Sequence, residues 1–311
     1  MKALTEIFRH PFYLTDGGLE TTLIFHQAIS LNYFAAFELL KNENGKKALQ
    51  SYYESYLKLA AQYYLPFVME SPTWRANADW GVKLGYTHDE IFALNKQSIK
   101  FTRELAEPFS QSLPQIIFSG NIGPRGDGYK AENCMTAEQA KAYHIEQVKA
   151  FAFADADVVT ALTITYSDEA VGIIQAARSF SLPVVVAFTV ETDGRLPGGE
   201  PLNEAIIKTD QETNSYAKHY MINCAHPKHF LPILQKEERW KKRIGGIRAN
   251  ASLKSHAELD DSEILDTGDA CLLASGYKDA FQLLPGLKII GGCCGTDHTH
   301  MEAICQKLFE A

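Results

Sequence analysis

Short apolar runs recur along the chain, and each is followed by a stretch with helical periodicity. The runs cover residues 12–15, 67–69, 115–119, 157–161, 183–189, 220–223, 244–248 and 287–290. Several, such as Val184-Val185-Val186-Ala187-Phe188, are continuous rather than alternating. Continuity marks strands buried on both faces, as in a parallel sheet covered by helices. Between the runs, Leu49, Tyr53, Tyr56, Leu57 and Ala60 sit at three- and four-residue spacing, which predicts an amphipathic helix over 46–64. Thr136 followed by Gln139 is a capping-box signature and predicts a helix over 136–153. Segments 167–180 and 203–219 read the same way. Eight strand–helix units in 311 residues predict a (β/α)8 TIM barrel, a single domain over 1–311. In that fold the chemistry sits at the C-terminal ends of the strands. A doubly wound open sheet is the rival, because periodicity does not separate a closed sheet from an open one. The acidic stretch 258–266 reads as a solvated loop inside the seventh unit.

Composition narrows the function classes. Hydrophobic residues make up 46% and charged residues 22%, which are globular values. Lys and Arg number 30 against 38 Asp and Glu, a net charge of −8, which argues against a nucleic-acid binder. No run approaches the ~20 apolar residues of a membrane span. The first ten residues carry no apolar h-region, so the expected location is the cytoplasm. The expected partners are small molecules, with a homo-oligomer left open. Six cysteines are too sparse for a disulfide scaffold in a chain of this length. Clustered cysteines in a reducing compartment point to metal binding or catalysis.

The cluster is Gly291-Gly292-Cys293-Cys294-Gly295, at the end of the eighth run. Neighbouring side chains on a strand point to opposite faces, but flanking glycines let the backbone turn both sulfurs toward one point. Adjacent cysteines also make a poor disulfide. Cys224 closes the sixth run, and in a barrel the ends of strands six and eight lie near each other on one rim. Three converging thiolates suit Zn²⁺ and leave the fourth tetrahedral position open, the mark of a catalytic site. Such a centre suits an incoming thiol, which it would hold as a nucleophilic thiolate. His226, His298 and His300 are weighed as further ligands and read instead as structural or helix-end residues, with Thr296 as the expected cap of the last helix. Cys271 and Cys305 read as helix-packing residues.

Six segments carry a family resemblance: Asp16-Gly17-Gly18-Leu19-Glu20-Thr21-Thr22, Ser71 to Asn77, Gly120 to Pro124, the run from Phe188 to Leu202, Asn223-Cys224-Ala225-His226-Pro227 and Gly291 to Thr296. Together they resemble the homocysteine S-methyltransferase family over nearly the whole chain. The resemblance implies a (β/α)8 barrel in which Cys224, Cys293 and Cys294 bind zinc and homocysteine thiolate is the fourth ligand. It implies an in-line attack of that sulfur on a methyl group carried by a cationic donor, giving methionine. It places Asp16 near the homocysteine ammonium and the N–H groups of Gly17 and Gly18 near its carboxylate. Glu20 reads as a substrate contact or a helix-start charge. Trp74 and Tyr129 are expected to face the donor cation. Asn121 and Asn250 are expected to touch substrate or to cap helices.

One position departs from the family pattern. A glutamate usual just after strand four is replaced by Leu162. Leucine cannot neutralise an ammonium, so Glu70 is expected to substitute, with Thr163 as a hydrogen-bonding neighbour, or else the acceptor is a different thiol. Chain length leaves no room for a cobalamin or folate module, so a free sulfonium, S-methylmethionine or S-adenosylmethionine, is expected ahead of betaine. A metal-dependent hydrolase is disfavoured because no His-x-His follows strand one. A non-catalytic zinc or thiol-redox protein stays open; it would need a fourth protein ligand.

Overall fold

The structure, a computed structural model, describes residues 7–310. Eight strands are present: β1 (Tyr13–Leu14), β2 (Phe67–Glu70), β3 (Ile116–Ile122), β4 (Val158–Ile164), β5 (Val184–Thr189), β6 (Tyr220–Asn223), β7 (Ile244–Ala249) and β8 (Ile289–Gly292). All pair in parallel and in sequential order. The pair Tyr13↔Ile289 joins β8 to β1, so the sheet is the closed barrel and not its open rival.

The period of two along each strand explains the continuous apolar runs. Val158, Leu162, Val185 and Ala187 point into the barrel with Tyr13, Val68, Ile117, Met221 and Ile289. Val159, Ala161, Val184, Val186 and Phe188 point outward under the helices. Both faces are dry, so both sets of positions are apolar.

The helices follow their start and stop signals. Glu43–Gln62 begins earlier than its apolar stripe because the Asn42 side chain accepts from Gly45 N–H. Ala137–Phe153 starts at the Thr136–Gln139 capping box read from the sequence. Ser167–Ser179 matches its expected span. Leu202–Thr213 stops short of residue 219 because Asn214 and Ser215 turn into the left-handed region, at φ 51° and 53°.

Other details differ from the sequence reading. The sixth unit has only the one-turn helix Pro227–Phe230 and short 3-10 turns. The acidic stretch is partly helical, since Ser255 and Glu258 form a capping box for His256–Asp260. Asp297, not Thr296, caps the last helix, His298–Phe309. Cys305 is buried as expected, whereas Cys271 is exposed and packs no helix. Among the described residues no helix is long and apolar enough to cross a membrane.

Candidate active site

One strand, β7, separates β6 from β8, so their ends stand about 10 Å apart. Two backbone turns close that gap. Cys224, just past β6, takes φ 56°, and Gly295 takes φ 78° after the paired cysteines. A cysteine in the left-handed region is strained by about 1 kcal/mol. Hydrogen bonds hold it there: Cys224 N–H donates to Arg248 O at 3.0 Å, while Asn250 Nδ2 at 3.0 Å and His256 Nε2 at 2.7 Å reach its carbonyl. Past β8, Cys293 N–H donates to Ala249 O, and Thr296 Oγ1 donates to Cys293 O at 2.7 Å. A Cβ on Gly292 would lie 2.0 Å from Thr296 Oγ1, so this turn needs glycine.

The sulfurs of Cys224, Cys293 and Cys294 all lie within 4.8 Å of one another, with Cys224 and Cys294 at 3.6 Å. A tetrahedral ion about 2.3 Å from each sulfur sets them about 3.8 Å apart, so the triad fits a metal ion. No histidine or carboxylate joins the cluster among the described residues. His226 instead accepts from Lys228 N–H through Nδ1. His298 is exposed; His300, expected at a solvated helix end, is buried, with its Nε2 at Thr267 O. An ion held by these three sulfurs would keep one tetrahedral corner open. The three thiols share charge: hydrogen bonds from Cys224 and Cys294 hold the Cys293 thiol well below its usual range. The Cys224 thiol is pushed up by hydrogen bonds with Cys293 and Cys294 and by burial.

The triad opens into a cavity that holds about 150 Å³ of enclosed space and is continuous with solvent at its mouth. Its floor carries an ion pair, Asp16 Oδ1 to Arg248 Nη1 at 2.7 Å, both buried. Arg248 also donates to Thr15 Oγ1, Gly17 O and Gly292 O. Burial pulls against the Arg248 charge, but Asp16 and Glu70 outweigh it and hold the guanidinium beyond the ordinary arginine range. Tyr52 donates to the second oxygen of Asp16 at 3.0 Å. Glu70, at the end of β2, is 4% exposed, and its Oε2 has no hydrogen-bond partner. Burial raises its carboxyl to about 7. Glu20 lines the same cavity and is also raised to about 7, chiefly by burial and then by the nearby Cys293 and Asp16 charges.

The remaining sequence candidates fall into two groups. Asp16, Gly17, Gly18, Glu20, Glu70, Trp74, Asn121, Leu162 and Thr163 all line the cavity. Asn121 keeps a buried Oδ1 without a partner. Gly18 N–H already donates to Thr296 O. Thr163 is engaged by Asn223, which accepts from its N–H and donates to its Oγ1, both at 2.9 Å. Asn250 does not line the cavity; it braces Cys224 instead. Tyr129 lines the cavity as well; one face of its ring stacks on His256 at 4.1 Å, and its hydroxyl lies 3.3 Å from Cys224 Sγ and 3.4 Å from Cys294 Sγ. Sequence reading passed over Arg75, Arg248, Asn223 and His256. Asn223 had a signal, its place beside Cys224; the other three lie far along the chain from the cysteines, and only closure of the barrel brings them in.

Known proteins match most of this chain. The family model for homocysteine S-methyltransferase matches residues 13–308. Homocysteine S-methyltransferase 1 of Arabidopsis thaliana is 21% identical over 318 residues, covering 95% of this chain and 93% of the relative. Homocysteine S-methyltransferase YbgG of Bacillus subtilis is 23% identical and covers 71% of this chain and 72% of the relative. The metallated form of the homocysteine methyltransferase MmuM from Escherichia coli superposes with a TM-score of 0.75 at 17% identity, covering 97% of this chain and 98% of that one, and shows the same fold. The three-cysteine rim, its open corner and the family match over residues 13–308 give one conclusion: the chain belongs to the homocysteine S-methyltransferase family and is an enzyme of that type.

Proposed function

We propose that this enzyme transfers a methyl group from a free sulfonium, S-methylmethionine or S-adenosylmethionine, to the thiol of homocysteine, forming methionine in the cytoplasm. The observation that carries the reading is the set of three sulfurs within 4.8 Å of one another, with no fourth protein ligand beside them among the described residues. Cys224, Cys293 and Cys294 would hold Zn²⁺, which supplies, when bound, the positive charge that keeps an incoming thiol as thiolate.

The other steps belong to the chain. Leu162 points into the barrel and brings no charge. Asp16 is neutralised by Arg248, so the acceptor ammonium falls to Glu70, whose buried Oε2 lacks a partner, with Glu20 beside it. Gly17 receives the acceptor carboxylate. Attack of a thiolate on a sulfonium methyl extinguishes both charges, so strong hydration of either reactant raises the barrier. A cavity walled by Phe34, Tyr53, Trp74, Tyr129 and Leu162 limits that hydration and aligns the two sulfurs with the methyl carbon.

The test is a matrix of thiols and methyl donors incubated with zinc-loaded protein and read by mass spectrometry. Methionine from homocysteine and a sulfonium is the expected product; no methylated thiol with any donor would overturn the reading. Leu162 supports one other acceptor class, thiols without an ammonium. Faster methylation of the deaminated analogue of homocysteine than of homocysteine itself would favour it.

A further inference from the structure

Two guanidinium groups line the cavity, and their electrostatic situations are opposite. The Arg248 charge is matched by Asp16 at 2.7 Å. Arg75 is just as buried, at 5% exposure, and among the described residues no carboxylate oxygen lies within 4 Å of it. Its guanidinium is clamped between two indole rings, with its central carbon 4.0 Å from the Trp74 centroid and 4.2 Å from that of Trp80. The rings cover the two faces of the group and leave its in-plane N–H bonds to other partners. Nη1 donates to Gly126 O at 2.8 Å, and the buried Nε has no partner. The nearest acidic neighbours do not close the gap. Asp127 turns its carboxylate onto its own backbone, accepting from Tyr129 N–H at 2.7 Å. Glu20 is felt across the cavity without forming an ion pair. Burial pulls the Arg75 guanidinium down to about 10, against the fields of Asp127 and Glu20.

A buried cation with an idle donor at Nε and no paired carboxylate is costly unless an anion completes it. Guanidinium geometry selects a planar, bidentate anion, that is, a carboxylate. Its position decides whose. The acceptor end of the cavity is at Asp16, Gly17 and Gly18, where a Cβ on Gly18 would lie 2.6 Å from Cys293 O. Arg75 stands outward from there. Trp80, the outer ring of its clamp, packs against half-exposed Tyr33 at 5.5 Å and takes Lys83 over its face at 3.9 Å. In-line displacement places the donor on this outer side, opposite the acceptor sulfur. Resting on the methyltransferase reading above, we propose that Arg75 binds the carboxylate of the methyl donor. The donor is then an onium compound carrying a carboxylate, with its cationic centre held off from the guanidinium by the intervening aliphatic chain, along a cavity wall that includes Asp260.

The test is direct binding, read by calorimetry and by the fluorescence of the indoles around Arg75, with zinc-loaded full-length protein. The probes are S-methylmethionine and S-adenosylmethionine, each compared with its decarboxylated counterpart. For whichever binds, loss of the carboxylate is expected to weaken binding about 30-fold or more, the scale of a charge-assisted hydrogen-bonded pair. Arg75→Met keeps the aliphatic stem between the rings; it is expected to bind the full donor as weakly as the decarboxylated one and to leave homocysteine binding unchanged. Equal binding of a donor and its decarboxylated form by the unaltered protein overturns the assignment while leaving methyl transfer standing, and that comparison needs no variant. Weakened homocysteine binding with unchanged donor binding in Arg75→Met overturns it by giving the residue to the acceptor. Binding of neither sulfonium would sink the sulfonium reading and the assignment together.

Discussion

Glu70 and Glu20 carry carboxyls raised to about 7, with burial the largest cause in each. Because the folded protein holds these protons more tightly than the unfolded chain, their contribution to stability is complete below about pH 4.5 and is lost as pH rises through about 7. Binding has the opposite sign, since an ammonium prefers the carboxylate. Affinity for homocysteine, taken relative to its deaminated analogue, is expected to rise as pH increases from about 6 to about 8, and titration calorimetry measures that ratio. In Glu70→Gln the ratio should fall roughly 10-fold or more at the upper pH and lose most of its slope. An unchanged ratio would remove Glu70 from the ammonium site. For the cysteines, Cys294→Ser is expected to lose zinc affinity by more than about 100-fold, and methyl transfer with it; metal analysis of the purified variant alongside an activity assay would show otherwise if either survived. Asn250→Ala tests the brace on Cys224. It should cost about 1–2 kcal/mol of stability in denaturant melts and weaken zinc binding without changing the acceptor specificity.

Elements were legible where one local rule governed them. Continuous apolar runs announced β4 and β5 because both strand faces are dry, and the Thr136–Gln139 pair announced its helix because capping is decided within one turn. Where tertiary contacts decide, the reading stopped short: Asn214 ends a helix whose apolar pattern continues, and the sixth unit trades its helix for one turn. The metal rim was readable because two of its sulfurs are adjacent in a glycine-flanked turn and the third ends a strand. The charge layout was not, because Arg248 and Arg75 have no sequence proximity to Asp16 or to the cysteines, and an arginine that closes an ion pair looks the same in sequence as one that lacks it. Gly292→Ala tests the turn after β8. With its Cβ position 2.0 Å from Thr296 Oγ1, the substitution should push Thr296 off Cys293 O, destabilise the fold by about 1–3 kcal/mol and lower zinc content in the purified protein. A variant with full zinc and unchanged stability would show that the turn has slack.

On the scale of the whole molecule, the three cysteines stand at the ends of β6 and β8 on either side of β7, so an ion held by them would tie those strand ends together. Removing zinc with a chelator is expected to lower Tm by roughly 5–15 °C, a shift that Cys294→Ser should not show. The central claim is that one ion sits on three protein sulfurs with a corner reserved for the substrate's sulfur. X-ray absorption at the zinc edge tests it most directly. The predicted result is three sulfurs and one lighter ligand in the resting enzyme, changing to four sulfurs when homocysteine is added. A first coordination sphere that stays the same on adding homocysteine, or one already filled by four protein groups, would contradict it.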